Sequence, residues 1–551
     1  MKKMNLNSKQ LTKAALSLLP AGALLTACSD NVDNAIKPEH NADGKYNIIF
    51  ITCDQEAYMP QYPVGSNYAA RERLRQIGTS FEKHYACANV STSSRSVIYT
   101  GRHITETCML DNTNYAYVND MPRDLPTVGD MLRQAGYYTA FKGKWHVSKD
   151  TESLEEYGFS DWTEGDMYGS VFEGLKEDGT ICDNTIEWLK TKGKALNDAG
   201  QSFFLAVNFL NPHDIMYYGE QEGTYIAGQA VTPPDTPLYR KTYDTPVPAS
   251  WNEPIVKPGR PAAHDDYNRQ WQAWVGHSPT TEEGWKSFRD YYFNTIQDED
   301  NHMLVLLNYL EEQGLLKNSI VIYTSDHGEM QGEHGLKGKG GNMYENNIHV
   351  PLVIYHPEIQ GGGHVNNITS HLDLAPTFVD IATAGNAAQF SQITSALHGH
   401  SLIPAVKDHS VDVRNGEGAL FCFEMLSMLD GDFVLVPRYG VDMNKRGFVR
   451  GIVTKDYKFA RYFSPQKFNT PADYEALWAD NDVELLQCGT DEMQNLAWPK
   501  NNVNKELVNT MNQKLNTLIQ HEIGVDDGSE TSRGYKGGVS YFDKNNKDIF
   551  K

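Results

Sequence analysis

Between Cys87 and Gly101 the chain reads CANVSTSSRSVIYTG, a run of hydroxyl side chains around Arg95. Such a stretch either caps a helix or marks the place where a nucleophile is made. A serine hydroxyl attacks poorly near neutral pH unless something activates it. Ser91 to Ser94 can cap a helix that begins near Arg95 and ends near Gly101. The N-terminus of a helix presents free N–H groups and the positive end of the dipole, so it holds an anion.

Four other groups of chemically capable residues each follow an apolar run. Asn47 to Thr52 (NIIFIT) leads into Cys53-Asp54-Gln55, and Tyr137 to Phe141 into Lys142-Gly143-Lys144-Trp145-His146. Phe203 to Phe209 leads, one residue on, into Asn211-Pro212-His213-Asp214, and Ser319 to Thr324 into Ser325-Asp326-His327-Gly328. Singly, each has an ordinary structural explanation. An Asp after a strand is a common cap or turn residue, and Lys337 and Lys339 in GLKGKGG could sit in a solvated loop. Together, two carboxylates and an imidazole from separate strand ends can make a divalent-metal site. Lysines and histidines beside it can make a pocket for an oxyanion.

The elements that must position these groups follow from the pattern. Near-continuous apolar runs between helix-like segments predict a sheet covered on both faces. If its strands are parallel, their chemical endings meet at one edge, where open α/β sheets bind ligands. Leu125 to Ala135 has helical spacing with Gly136 at the stop position, and a helix is expected near Gln297 to Gln313. From about Ile215 to Gly284 the rhythm breaks into a segment rich in Pro, Tyr and Trp, read as a long insertion over one end of the sheet. Past about Ile403 it changes again, with a hairpin over Gly447 to Phe463 and an amphipathic helix over Lys505 to Ile523. The expected fold is α/β, with a catalytic domain over 46–405 and a smaller C-terminal α+β domain over 406–551.

The length of 551 residues suits a large domain plus a smaller one. Ahead of residue 46 lie two shorter segments. Lys2, Lys3, Lys9 and Lys13 accompany an apolar run from Ala14 to Ala27, the pattern of a secretion signal. Its end, Leu25-Thr26-Ala27-Cys28, resembles a bacterial lipobox. That resemblance implies a signal peptide over 1–27, lipid on Cys28, a polar tether over 28–45, and an exported lipoprotein, periplasmic or at the cell surface, touching the membrane through its anchor alone. Loss of the four lysines takes the formal charge from −22 to −26. Such a field repels nucleic acid. An anionic substrate therefore needs a local cluster of cations. Among the seven cysteines no CxxC pair occurs, which argues against a zinc knuckle.

Ser91-Thr-Ser-Ser-Arg95 followed by Thr100-Gly101 resembles the signature of the formylglycine-dependent type I sulfatases of the alkaline phosphatase superfamily, Cys/Ser-x-Pro/Ala/Ser-x-Arg with Thr-Gly behind it. The family's nucleophile lies four residues before the arginine, which picks Ser91 and excludes Cys87. Family-like stretches follow in order: Gly143-Lys-Trp-His146, Asn211-Pro-His213, Thr324-Ser-Asp-His-Gly328, Gly332-Glu-His-Gly-Leu-Lys-Gly-Lys339 and Val350-Pro-Leu, with Arg450-Gly-Ile-Val-Thr-Lys-Asp-Tyr-Lys-Phe near the C-terminus. The resemblance implies an alkaline-phosphatase-like large mixed sheet sandwiched by helices. It implies oxidation of Ser91 to formylglycine, whose hydrate attacks sulfur. Asp54, Gln55, Asp326 and His327 would hold a divalent metal together with the modified Ser91. Asp326 would help deprotonate the attacking oxygen, and Arg95 and Lys144 would position the diol. His213 and Lys339 would bind sulfate, His213 being the acid for the leaving alcohol, and His146 would take a proton from the second hydroxyl.

Departures from the family pattern carry information. Ser93 stands where Pro is common, and a serine-type signature implies the anaerobic sulfatase-maturating enzyme as a partner. Asp326-His327 replaces the common Asp-Asn, and that pair, with Asp54-Gln55, resembles the choline sulfatase and phosphonate monoester hydrolase branch. An all-oxygen ligand set suits calcium. One imidazole nitrogen opens the site to manganese or zinc, with calcium still ranked first. The expected substrate is a sulfated saccharide of host or algal glycans, and Tyr217, Tyr218, Trp251, Trp271 and Trp274 in the insertion either stack on sugar rings or pack the insertion itself. A phosphonate monoester or phosphodiester hydrolase, a choline-sulfatase-like enzyme, and a binding lipoprotein with unmodified Ser91 are the alternatives.

Overall fold

The computed structural model describes residues 37–149, 152–219, 232–432 and 440–541. The expected signal segment, Cys28 and the first half of the tether, 28–36, lie outside them. The described residues from Pro38 onward form one compact unit. Its centre is a sheet of seven strands: β1 (Asn47–Asp54), β2 (Thr79–Phe81), β3 (Tyr138–Gly143), β4 (Phe203–Pro212), β5 (Ser319–Ser325), β6 (Leu352–Tyr355) and β7 (Gly363–Val365). They lie in the order β3-β4-β1-β5-β6-β2-β7. The first four in that order are mutually parallel. Then β6 pairs antiparallel with both β5 and β2, so the sheet is mixed.

Every residue of β1, β4 and β5 is buried, which explains why these strands read as near-continuous apolar runs rather than alternating ones. On one face Phe50, Phe204, Ile320 and Ile322 enter a core with Tyr99 of helix α1 (Ser91–Thr100), Leu132 of α2 (Val128–Gln134) and Phe378 of a later helix, Leu374–Ala382. Helices α3 (Glu173–Trp188) and α5 (Glu282–Glu312) pack on β4. A four-stranded antiparallel sheet, Ala419–Phe423, Phe448–Val453, Tyr457–Phe463 and Asp482–Gln487, packs with helix Lys505–Glu522. It contains the expected hairpin, and the expected amphipathic helix is present.

Three expectations are corrected. α1 begins at Ser91, not near Arg95. Its N-cap position is Val90, with no side-chain capping bond. The hydroxyls bond outward instead: Thr92 Oγ1 donates to the His146 carbonyl at 2.6 Å, and the Ser94 hydroxyl to the Asp326 carbonyl. The insertion is less irregular than its composition suggests, because it contains α4 (Ala263–Val275) with His264, Tyr267 and Trp271 buried along one side. The helix expected near Gln297 starts at Glu282, its first turns buried through Trp285, Phe288, Tyr291 and Tyr292.

Candidate active site

Parallel register brings the chemical strand ends together. Thr52 of β1 lies beside Asn208 of β4 and Thr324 of β5, and Gly143 of β3 is paired with Asn208. Asp54, Lys144, His213 and Asp326 therefore emerge at one edge. Gly143 must be glycine: its φ is +81°, and a Cβ there would lie 2.1 Å from the Asn208 carbonyl oxygen. Asn208, one polar residue in an apolar strand, accepts hydrogen bonds from Thr52, Tyr99 and Arg95 and so locks α1 to the strand ends.

Ser91 opens α1 in the middle of this edge, 1 % exposed. Its Oγ lies 3.0 Å from His327 Nε2 and 3.3 Å from Asp54 Oδ2. His327 Nδ1 is 3.1 Å from the Gly328 carbonyl, an acceptor only, so Nδ1 carries the proton and Nε2 presents its lone pair to Ser91. That lone pair sits 3.7 Å from Asp54 Oδ1 and 3.6 Å from Asp326 Oδ1. One ligand atom from each of Asp54, Asp326 and His327 falls within 4.8 Å of the others. Two carboxylate oxygens and one imidazole nitrogen, all buried and convergent, fit a divalent cation.

Cations surround the carboxylates. Arg95 spans both, Nη2 at 3.1 Å from Asp54 Oδ2 and Nε at 3.0 Å from Asp326 Oδ2. Lys144 Nζ lies 2.8 Å from Asp54 Oδ2, an ion pair whose angles are poor for a hydrogen bond. Burial works to raise the Asp54 carboxyl, but the charges of Lys144 and Arg95 hold it well below the usual range. Burial and the charge of Asp54 push Asp326 up to about 7. Burial lowers Lys339 to about 8, against the pull of Asp54. Three cationic groups, Arg95, Lys144 and Lys339, thus gather at this edge of a chain whose net charge is −22.

The other expected residues line the same edge. His146 has φ +58°, and its N–H donates to Asp166 Oδ1 at 2.8 Å. Neither ring nitrogen has a hydrogen-bond partner among the described residues. His213 begins the turn after β4, its Nδ1 also without one. Its ring is pressed by Gly169, where a Cβ would come within 2.2 Å of it. Burial and the cations Lys339 and Lys144 hold His213 well below its usual pKa. Burial, then Lys144, does the same to His146. Lys339 Nζ donates to Gln55 Oε1 and lies 3.7 Å from the sulfur of Met216. Gln55 joins the carboxylate pair through its backbone, its N–H donating to Asp326 Oδ1 at 3.1 Å.

Of the insertion aromatics, Tyr218 and Trp271 are buried and pack structurally, and Trp251 leans on the same core as Tyr218. Tyr217 and Trp274 stay half-buried. Tyr217 lies 6.4 Å from His213 between ring centroids, Tyr115 lies 5.7 Å from Trp274, and Tyr168 meets His146 edge-on at 5.3 Å. Asp166, Asn208, Glu329, Tyr115 and Tyr168 escaped sequence reasoning. Only Asn208, a polar residue inside an apolar run, left a signal there.

A serine at a helix start, set among convergent buried carboxylates and ringed by lysines and histidines on a mixed α/β sheet, defines a hydrolase of anionic esters. Residues 47–384 match the family model described as Sulfatase. The chain belongs to the sulfatase family, within the alkaline phosphatase superfamily, and is a sulfuric ester hydrolase. It is 27 % identical over 446 residues to the N-acetylglucosamine-6-O-sulfatase of Bacteroides thetaiotaomicron, covering 71 % of this chain and 75 % of that one. Two solved structures share the fold. One, in complex with its substrate D-glucosamine-2-N,6-O-disulfate, has a TM-score of 0.61 at 21 % identity, covering 88 % of this chain and 99 % of that one. The other, the phosphonate monoester hydrolase of Silicibacter pomeroyi, has a TM-score of 0.63 at 18 % identity, covering 89 % and 99 %.

Proposed function

We propose that this enzyme hydrolyses sulfate monoesters of carbohydrates, using a formylglycine made from Ser91 and a divalent cation, calcium first, held by Asp54, Asp326 and His327, while the Gln55 amide oxygen, expected from the sequence as a further ligand, accepts from Lys339 instead. The observation that carries it is the position of Ser91 Oγ, 3.0 Å from the imidazole nitrogen that completes the buried trio. The cation and the hydrated aldehyde together would supply an oxygen nucleophile at neutral pH, which a bare serine cannot. The residues of the chain do the rest. Arg95 fixes both carboxylates, and Lys144 adds positive charge beside Asp54. Lys339 binds the sulfate oxygens. Asp326, with its raised carboxyl, exchanges a proton with the attacking oxygen. His213 is neutral in the free site, and the negative charge of an arriving sulfate raises its affinity for the proton it gives to the departing alcohol. His146, with neither ring nitrogen hydrogen-bonded among the described residues, accepts the proton that releases sulfate.

The saccharide reading draws on the N-acetylglucosamine-6-O-sulfatase relative and on the half-buried rings of Tyr168 and Tyr217 beside His146 and His213. Aromatic faces suit the apolar faces of sugar rings. The reading extends to a serine-type maturation partner, the anaerobic sulfatase-maturating enzyme, and to an exported lipoprotein anchored through Cys28. The Asp326-His327 pair and the fold shared with a phosphonate monoester hydrolase favour a second reading, hydrolysis of phosphonate monoesters. Matured protein is tested against defined sulfated saccharides, reading free sulfate, beside aryl sulfate and aryl phosphonate esters. Preference for sulfated sugars supports the first reading, and a higher kcat/KM on phosphonates replaces it with the second.

A further inference from the structure

Gln55 is held by contacts at every polar group. Its φ is +78°, a region that a residue with a side chain occupies only when its surroundings impose it. Its N–H donates to Asp326 Oδ1 at 3.1 Å, and its carbonyl accepts from Tyr292 Oη at 2.9 Å. The side-chain NH₂ donates to Glu329 Oε2 at 2.5 Å, and the side-chain oxygen accepts from Lys339 Nζ. An amide has one donating and one accepting end of nearly equal size, so its orientation is decided by its partners. Glu329 is fully buried. Its other oxygen, Oε1, takes the N–H of Gly338 at 2.7 Å and of Gln331 at 3.3 Å. Oε2 is thereby left for Gln55. A flipped Gln55 would turn its NH₂ toward the Lys339 ammonium, donor against donor.

We propose that Glu329 is a positioning residue. It fixes the Gln55 amide with its oxygen toward Lys339, and so holds the Lys339 ammonium in place for the substrate's sulfate. This rests on Lys339 as a sulfate-binding residue, the role proposed above. The two glutamate oxygens accept all three donors, and a glutamine side chain at this position cannot do the same. With its oxygen on the backbone N–H groups, its own NH₂ meets the NH₂ of Gln55 and turns that amide over. Exchanging the two side chains restores the pattern at unchanged total charge. The amide, moved to position 329, then donates to the carboxylate, moved to position 55, whose second oxygen receives Lys339.

The test titrates inorganic sulfate into the calcium-loaded protein by calorimetry, for wild type, Glu329→Gln, Gln55→Glu and the double exchange. Each single variant is expected to bind sulfate about tenfold more weakly, about 1.4 kcal/mol, and the double exchange to return to roughly within threefold of wild type. A merely structural glutamate would not be rescued by the exchange. Sulfate binding by Glu329→Gln equal to wild type, or a double exchange no tighter than the single variants, overturns the proposal. If Glu329→Gln fails to fold, the comparison of Gln55→Glu with the double exchange decides alone. A wild type that binds no sulfate overturns the sulfate role of Lys339 and this inference with it, and that result is distinct from a failed rescue.

Discussion

Arg95→Met removes the one guanidinium that touches both carboxylates of the site. Asp54 keeps Lys144 at 2.8 Å, but Asp326 loses its Arg partner and has no lysine or other arginine within ion-pair distance among the described residues. Stranding a carboxylate in a buried pair costs about 3–5 kcal/mol. The cost should depend on pH. Asp326 already sits at about 7 through burial and the charge of Asp54, with Arg95 pulling it down. Without Arg95 it rises further. A carboxyl raised in the fold binds a proton that the unfolded chain, near 3.9, has released. Its contribution to stability therefore falls as pH rises between the two values and is flat above the folded one. In wild type that fall ends at about pH 7. In Arg95→Met it continues, at about 1.4 kcal/mol per pH unit. Urea unfolding from pH 6 to 9 with a chelator present measures the gap, which should widen above pH 7 and narrow when calcium is added. A gap that is constant with pH, or below about 1 kcal/mol, would refute the view of Arg95 as the clamp that pulls the Asp326 carboxyl down.

Other consequences are measurable on the same protein. Calcium at about a hundred times its Kd should stabilise the fold by about 2.7 kcal/mol, and His327→Ala should lose most of that gain in a calorimetric scan. Asp111, pushed up to about 7 by burial and accepting from Ser427 Oγ at 2.6 Å, makes the fold lose up to about 4 kcal/mol between pH 4 and 7 by the same linkage. Asp111→Asn should flatten that slope in urea titrations, and an unchanged slope would show that Asp111 does not titrate in this range. Tyr217→Ala should raise KM on a sulfated saccharide by about five- to tenfold, the scale of an aromatic contact of about 1–1.5 kcal/mol, and raise it less on a small aryl sulfate.

What the sequence revealed of this molecule was set by local physics. The strands β1, β4 and β5 are mostly apolar because both faces are covered, so their ends, with Asp54 closing β1 and His213 and Asp326 just past β4 and β5, could be placed at one edge. The start of α1 was not legible, because serines and threonines favour caps as readily as a first turn. Here their partners, the carbonyls of His146 and Asp326, come from distant strand ends. The first half of α5 was hidden for a related reason. Its periodicity is carried by Trp285, Phe288 and Tyr292, which are buried by the tertiary fold amid charged neighbours. Positioning groups such as Asp166 and Glu329 bear no local mark at all. A carboxylate that accepts backbone or amide N–H groups from another segment looks, in sequence, like any solvated acid.

The central claim concerns the chemical state of one side chain. The most direct measurement is the mass of the peptide containing Ser91, taken from enzyme produced with its serine-type maturation partner and assayed for sulfate release. The expected peptide is about two daltons lighter than the encoded serine, the two hydrogens lost when an alcohol becomes an aldehyde, in proportion to activity. Full sulfatase activity from a preparation whose Ser91 is entirely unmodified would contradict it.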